Sequence, residues 1–176
     1  MQADVRVQIR LETELKNSAE KICQLISDHN IDYLAFNNHI PQAKHQRDKS
    51  PLDFANWAEK RGITVEELSN IVDAYLDKDN KETSINTTKV AEFLKKRGLT
   101  IGSHDDKTID TRQYYRSLGA DVCEFPVVKE VAADAKNNNE TIIMGAPNVA
   151  RGGSHTNNIC LLYTSPSPRD RQKSRM

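Results

Sequence analysis

The chain has 176 residues, enough for one ordinary domain. Its 25 Lys and Arg balance 25 Asp and Glu, so composition offers no field to draw in nucleic acid or a membrane surface, and an anionic ligand must be held by a local site. No apolar run approaches the roughly 20 residues that span a bilayer, and Met1 is followed by charged residues rather than by the apolar core of a signal peptide. The expectation is a cytoplasmic protein with neither a nucleic-acid nor a membrane partner. Cys23, Cys123 and Cys160 are widely spaced without a C-x-x-C pair, a pattern that suggests neither a disulfide framework nor a zinc knuckle, and Cys23 and Cys123 read as small buried apolar residues.

In chain order, Val5 to Leu11 alternates as a strand does, and the segment from Ser18 to His29 places Ile22, Leu25 and Ile26 on one helical face. Tyr33 to Phe36 is a second short apolar run, and the polar stretch from Asn37 to Lys49, with Pro41 in it, reads as a long loop. Ser50-Pro51 opens a helix with a cap and a first-turn proline, and Thr64 with Glu67 forms a capping-box signature ahead of Leu68, Ile71, Val72 and Tyr75. A helix from Thr87 carries Val90, Phe93 and Leu94 and stops at Gly98; Leu99 to Gly102 is the next strand. Helix Asp110 to Leu118, strand Asp121 to Glu124, a helix from Val128 to Lys136 and strand Thr141 to Met144 complete the pattern. Five strands alternating with helices argue for an α/β protein with a parallel sheet and right-handed crossovers, either an open doubly wound fold or part of a barrel.

Glu12 follows the first strand, His39 lies just past the second, and His104 ends the third. In a parallel sheet the carboxyl ends of the strands share one face, so these side chains can converge. Neutral imidazole and carboxylate oxygen suit zinc, manganese or iron, and such a site can activate water and neutralise a phosphoryl oxygen. Taken singly, Glu12 also reads as a solvated strand-end carboxylate and His39 as a polar loop residue. Asp105 and Asp106 can orient the His104 imidazole or cap the helix that follows; His104 with Asp105 is the candidate catalytic pair. His29 and His45 have no strand-end context and read as surface residues. Arg151-Gly152-Gly153-Ser154-His155 offers a guanidinium, two permissive backbone positions, a hydroxyl and an imidazole, a set suited to cradling phosphate.

These blocks, together with Ile101 to Asp106, Glu124-Phe125-Pro126 and Met144-Gly145-Ala146-Pro147-Asn148, occur in an order that resembles the metal-dependent diphosphatases of the carbon–phosphorus lyase pathway, a branch of the amidohydrolase superfamily. The resemblance runs from about Ala3 to Ile159 and is densest from Gly102 to Asn157. It implies an incomplete (β/α)8 TIM barrel of the metal-dependent hydrolase type, roughly its strands four to seven plus an added strand, within residues 1–159; a whole barrel takes about 250 residues. It also implies a divalent transition metal, zinc with manganese or iron as alternatives, held by Glu12 as bridging carboxylate and by His39 and His104. The implied partner is a small phosphorylated ribose phosphonate, bound through Arg151, Gly152, Gly153, Ser154 and His155 and hydrolysed to its 5-phosphate and pyrophosphate.

The family's first-strand His motif and its late strand-end Asp are expected before Met1 and after Ile159, so the chain by itself is expected to lack a complete metal site and to be inactive. Two departures accompany the resemblance: Asn37-Asn38 stands where an acidic residue usually precedes the family's fifth-strand His, here His39, and Ile40-Pro41-Gln42 replaces a Pro-Gly turn. Residues 160–176 lose all periodicity, read by composition as a disordered tail, and resemble the translated text of a sequencing adapter. Without them, Arg169, Arg171, Lys173 and Arg175 disappear against one acid, Asp170, and the charge balance turns negative. The alternative functions are a cyclic-amide or N-acyl amino acid amidohydrolase on the same scaffold, and a non-catalytic α/β module that binds phosphate without metal.

Overall fold

A run of short apolar segments separated by helices can bury itself only as a sheet covered by those helices, and the computed structural model, which describes residues 7–14, 18–76, 81–150 and 159, has that form. Strands β1 (Gln8–Glu12), β2 (Tyr33–Asn37), β3 (Thr100–His104), β4 (Val122–Glu124) and β5 (Thr141–Ile143) make one parallel sheet in the order β1-β2-β3-β4-β5. Helix α1 (Ala19–Asp28) joins β1 to β2, α5 (Lys81–Lys96) leads into β3, α6 (Ile109–Ser117) joins β3 to β4, and α7 (Lys129–Asn137) joins β4 to β5. The order never reverses, so right-handed crossovers put all of these helices on one side of the sheet. Among the described residues no helix is long and apolar enough to cross a membrane.

Side chains alternate between faces. Leu34 and Phe36 of β2 and Ile101 of β3 point to the helices, where they join Ile26 of α1, Val90 and Leu94 of α5 and Tyr115 of α6 in the main core. Phe36 stacks on Tyr115 with ring centroids 5.8 Å apart. A second core lies under α7, where Cys123 packs against Val131 and Ala135. Cys123 is buried as expected; Cys23 is only half-buried, because α1 turns its flank toward the surface.

The opposite face carries Gln8, Arg10 and Glu12, then Tyr33, Ala35 and Asn37, then Gly102 and His104, then Val122 and Glu124, by strand register. On a flat sheet β1 and β4 would stand about 14 Å apart, three spacings of about 4.8 Å. Yet Gln8 Nε2 donates to Glu124 Oε1 at 2.9 Å, and Arg10 Nη2 to Glu124 Oε2 at 3.3 Å. The sheet is therefore curled, concave on this face. Small residues between make the room: Ala35 and Gly102 are paired in the register, and a Cβ at position 102 would collide with the Tyr33 ring.

Between β2 and α5 the chain builds a separate unit of three helices, α2 (Ile40–Lys49), α3 (Pro51–Lys60) and α4 (Val65–Leu76). It has its own core of Ile40, Ala43, Phe54, Ala58, Leu68 and Val72. The expected loop over residues 37–49 is thus a helix from Ile40 onward. Pro41 sits in its first turn, where a missing N–H costs nothing, and only Ile40 and Ala43 are buried, too few to leave a periodic signal. Helix α5 begins at Lys81, ahead of the expected Thr87, for the same reason: its first turns are polar. The capping box on α4 forms as expected, with Glu67 N donating to Thr64 Oγ1 and Thr64 N to Glu67 Oε2. Ser50 does precede α3, but its hydroxyl bonds Asp53 rather than a backbone amide. Leu25 and Ile71, expected on apolar helix faces, are exposed.

One buried cation ties the β3–β4 side together. Arg112 of α6 is fully buried and donates to Glu140 Oε2 at 2.8 Å, to Ser103 Oγ and the Ala120 carbonyl at 2.5 Å, and to Asp106 Oδ2 at 3.3 Å. A guanidinium costs several kcal/mol to desolvate, an expense repaid only by partners on every side. Replacing Arg112 by Met should lower stability to urea by about 3–5 kcal/mol, because Asp106 and Glu140 lose their shared cation; a loss under about 1 kcal/mol would show that the network is dispensable.

Candidate active site

Each strand hands over to its loop at the same rim. Thr13 N donates to the Asn37 carbonyl, Asp105 N to the Glu124 carbonyl and Phe125 N to the Ile143 carbonyl, so the backbone ladder runs one residue past the ends of β1, β3 and β4. Asp105 and Phe125 have φ of 56° and 52°, a left-handed turn that a bulky residue such as Phe adopts only under constraint. That turn brings the Phe125 ring edge-on against His104, 5.3 Å between centroids.

On the β1–β2 side, His39 caps α2 and its Nδ1 lies 2.6 Å from Glu12 Oε1. Asn37 Nδ2 donates to the same oxygen at 3.1 Å and lies 3.3 Å from His39 Nδ1. The hydrogen bond to Glu12 raises the His39 pKa despite burial. Burial pushes Glu12 upward, but the bonded imidazole outweighs it and holds the carboxyl below its ordinary value. Glu14 stands beside Glu12; burial and then the Glu12 charge push it up to about 7. The Oε2 atoms of Glu12 and Glu14 are both buried with no donor among the described residues, an arrangement that favours a shared proton or a cation between them.

On the β3–β4 side, His104 Nδ1 lies 2.9 Å from Glu124 Oε2, and Nε2 lies 3.6 Å from Asp105 Oδ2. Glu124 is almost fully buried; burial pushes its pKa up, yet His104, Gln8 and Arg10 together hold it below the usual carboxylate range. Asp105 faces the site, and its charge acts on His39 across the rim. Asp106 has neither role considered for it. It turns inward to Ser103 and Arg112, while the cap of α6 is Thr108, whose side chain accepts from Thr111 N.

The structure thus brings Glu12 and His39 together, and separately His104 and Asp105, on one rim. Asn37, Glu14 and Glu124 were not anticipated. Glu124 had a signal, being a carboxylate at a strand end like Glu12; Asn37 supplies an amide donor where the resemblance implies an acid, and Glu14 had no signal. Arg151, Gly152, Gly153, Ser154 and His155 lie outside the described residues. Beside Thr13 and Asn38 opens a cavity of about 440 Å³, lined among the described residues by Tyr75, Ser84, Thr87, Asp110, Thr111, Tyr114 and Tyr115, with no cation among them. Such a lining does not suit phosphate.

The orphan oxygens of Glu12 and Glu14 are donors a divalent cation could use. Against that, His39 and His104 each spend a ring nitrogen on a carboxylate, and among the described residues no three His, Cys, Asp or Glu side chains converge on one point. The described side chains therefore do not fit a metal ion by themselves.

Glu124 has the largest structural share in this rim. Glu124→Gln keeps the shape but removes the charge that Gln8, Arg10 and His104 all address, and should cost about 1–3 kcal/mol in urea unfolding, the usual worth of hydrogen bonds to a buried charge. Unchanged stability would mean that the three contacts are incidental.

No protein-family profile and no solved structure matches the chain. A curated protein, the alpha-D-ribose 1-methylphosphonate 5-triphosphate diphosphatase of Escherichia coli (strain K12), is 35% identical over 74 residues, which is 42% of this chain and 20% of that protein. The match spans about a fifth of that protein's length, and within it this chain is similar to a diphosphatase.

Proposed function

We propose that this chain carries part of the active-site rim of a metal-dependent hydrolase of the amidohydrolase type, one that cleaves the triphosphate of a ribosyl 1-phosphonate to the 5-phosphate and pyrophosphate in the cytoplasm. The observation that carries this reading is the rim itself, where Glu12, His39, His104 and Asp105 stand at the carboxyl ends of consecutively ordered parallel strands. The similarity to a diphosphatase supports it independently. The unreversed strand order and the contacts from β1 to β4 across the concave face support an arc of a (β/α)8 barrel over an open doubly wound sheet, in which the order reverses at the switch point.

In this reading a water oxygen bonds to phosphorus, the phosphoanhydride P–O bond breaks, and pyrophosphate leaves with the electron pair. His104, held through Nδ1 by Glu124, presents Nε2 beside Asp105, so this pair takes the proton that the water loses. A divalent transition metal, zinc with manganese or iron as substitutes, belongs to the proposal only with ligands from outside the described residues. Arg151, Gly152, Gly153, Ser154 and His155 are proposed for the anionic substrate.

The test is a chimera in which the β1–β5 arc of this chain replaces the corresponding arc of the E. coli diphosphatase. It should release pyrophosphate from the ribosyl phosphonate triphosphate, and His104→Asn should cut the rate by about 100-fold or more, the usual worth of a positioned general base. A folded chimera that is equally active with Asn at that position, or that cleaves a cyclic amide instead, would overturn the reading.

A further inference from the structure

The three-helix unit α2–α4 enters the chain directly after His39 and returns at Tyr75, whose phenol oxygen accepts from Asn38 Nδ2 at 3.0 Å. It is stapled to the rim at both ends and holds its shape by its own core. From that core Trp57 of α3 leans back to the site. Its indole meets the His39 ring at 5.8 Å between centroids with the planes 86° apart. Arg61, at the end of α3, lays its guanidinium over the same indole, 4.1 Å from the ring centroid.

A guanidinium stacked on an aromatic face is held in orientation through its π surface while its N–H donors stay in its own plane. Stacking therefore leaves the fork open to an oxyanion, where an ion pair would have occupied it. Among the described residues no carboxylate pairs with Arg61, although the same unit places Arg47 on Asp73 and Lys44 on Asp48. This guanidinium, stacked and without a carboxylate partner among the described residues, sits on the ring that touches His39.

We propose that Trp57 and Arg61 form an oxyanion-binding platform beside His39, with Arg61 receiving a phosphoryl group and Trp57 both orienting Arg61 and walling that side of the site. This deepens the diphosphatase reading and rests on it for the choice of a phosphoryl group over other anions. It assigns the inserted helices a role in recognition rather than in the bond-breaking step, since neither side chain touches the groups proposed to move the proton. The platform needs no metal.

Trp57 is the single tryptophan of the chain, so its fluorescence reports on this platform alone. The experiment titrates the whole chain with inorganic triphosphate, free of divalent metal, and repeats the titration on Arg61→Gln, an exposed position where the substitution spares the core of the unit. The expected result is a saturable change in Trp57 emission whose midpoint moves at least about tenfold higher in the variant, with an unchanged melting temperature, as for loss of a charged bidentate contact. No saturable change, or the same midpoint in both proteins, overturns the proposal. The measurement involves no turnover, so a platform that binds triphosphate stands even if the chimera hydrolyses nothing, and a silent platform leaves the hydrolysis reading to its own test.

Discussion

Glu124 is the constraint on which the concave face depends. A buried carboxylate is tolerated only where donors surround it, and its donors come from across the arc and from next to it: Gln8 and Arg10 on β1, and His104 on the adjacent β3. To satisfy one side chain the sheet has to curl until its first and fourth strands face each other, and the residues beneath have to be small. Ala35 and Gly102 meet that demand, with Tyr33 lying over the glycine. Curvature, strand-end chemistry and the orientation of His104 are thus aspects of a single electrostatic requirement.

The rim divides into two halves with different character. Glu12, Glu14 and His39 crowd two carboxyl groups around an imidazole, and two of their oxygens have no donor among the described residues. His104 and Glu124 are mutually satisfied and anchored from below, with Asp105 alongside. Arg112 fixes the backbone under this second half through Ser103 and Asp106, one residue before His104 and two after it. The β3–β4 half is therefore rigid where a proton-transferring group needs to be, whereas the β1–β2 half retains unmet coordination.

What was legible in the sequence follows the same logic. The strands were readable because alternation and short apolar runs reflect burial on one or both faces, and the residues at their ends could be assigned to one rim because parallel strands leave no choice. The capping box at Thr64 and the stop at Gly98, with φ of 65°, were readable because they are local backbone chemistry. Helix α2 was hidden because its amphipathic signal is only Ile40 and Ala43 against the inserted core. Asp106 and Arg112 were hidden because nothing in a local pattern distinguishes a buried ion pair from a solvated one. Glu14, Asn37 and Trp57 acquire their roles only from neighbours distant in sequence.

The most direct test of this account is a double-mutant cycle between β1 and β4, with Gln8→Ala and Glu124→Gln made singly and together and stability read by urea unfolding. Residues more than about 10 Å apart give additive effects within about 0.5 kcal/mol. The curled sheet predicts a coupling above that level, because the two side chains share a 2.9 Å hydrogen bond. Additive losses would mean that β1 and β4 do not meet, and the concave face, the placement of His104 and the barrel-arc reading would fall together.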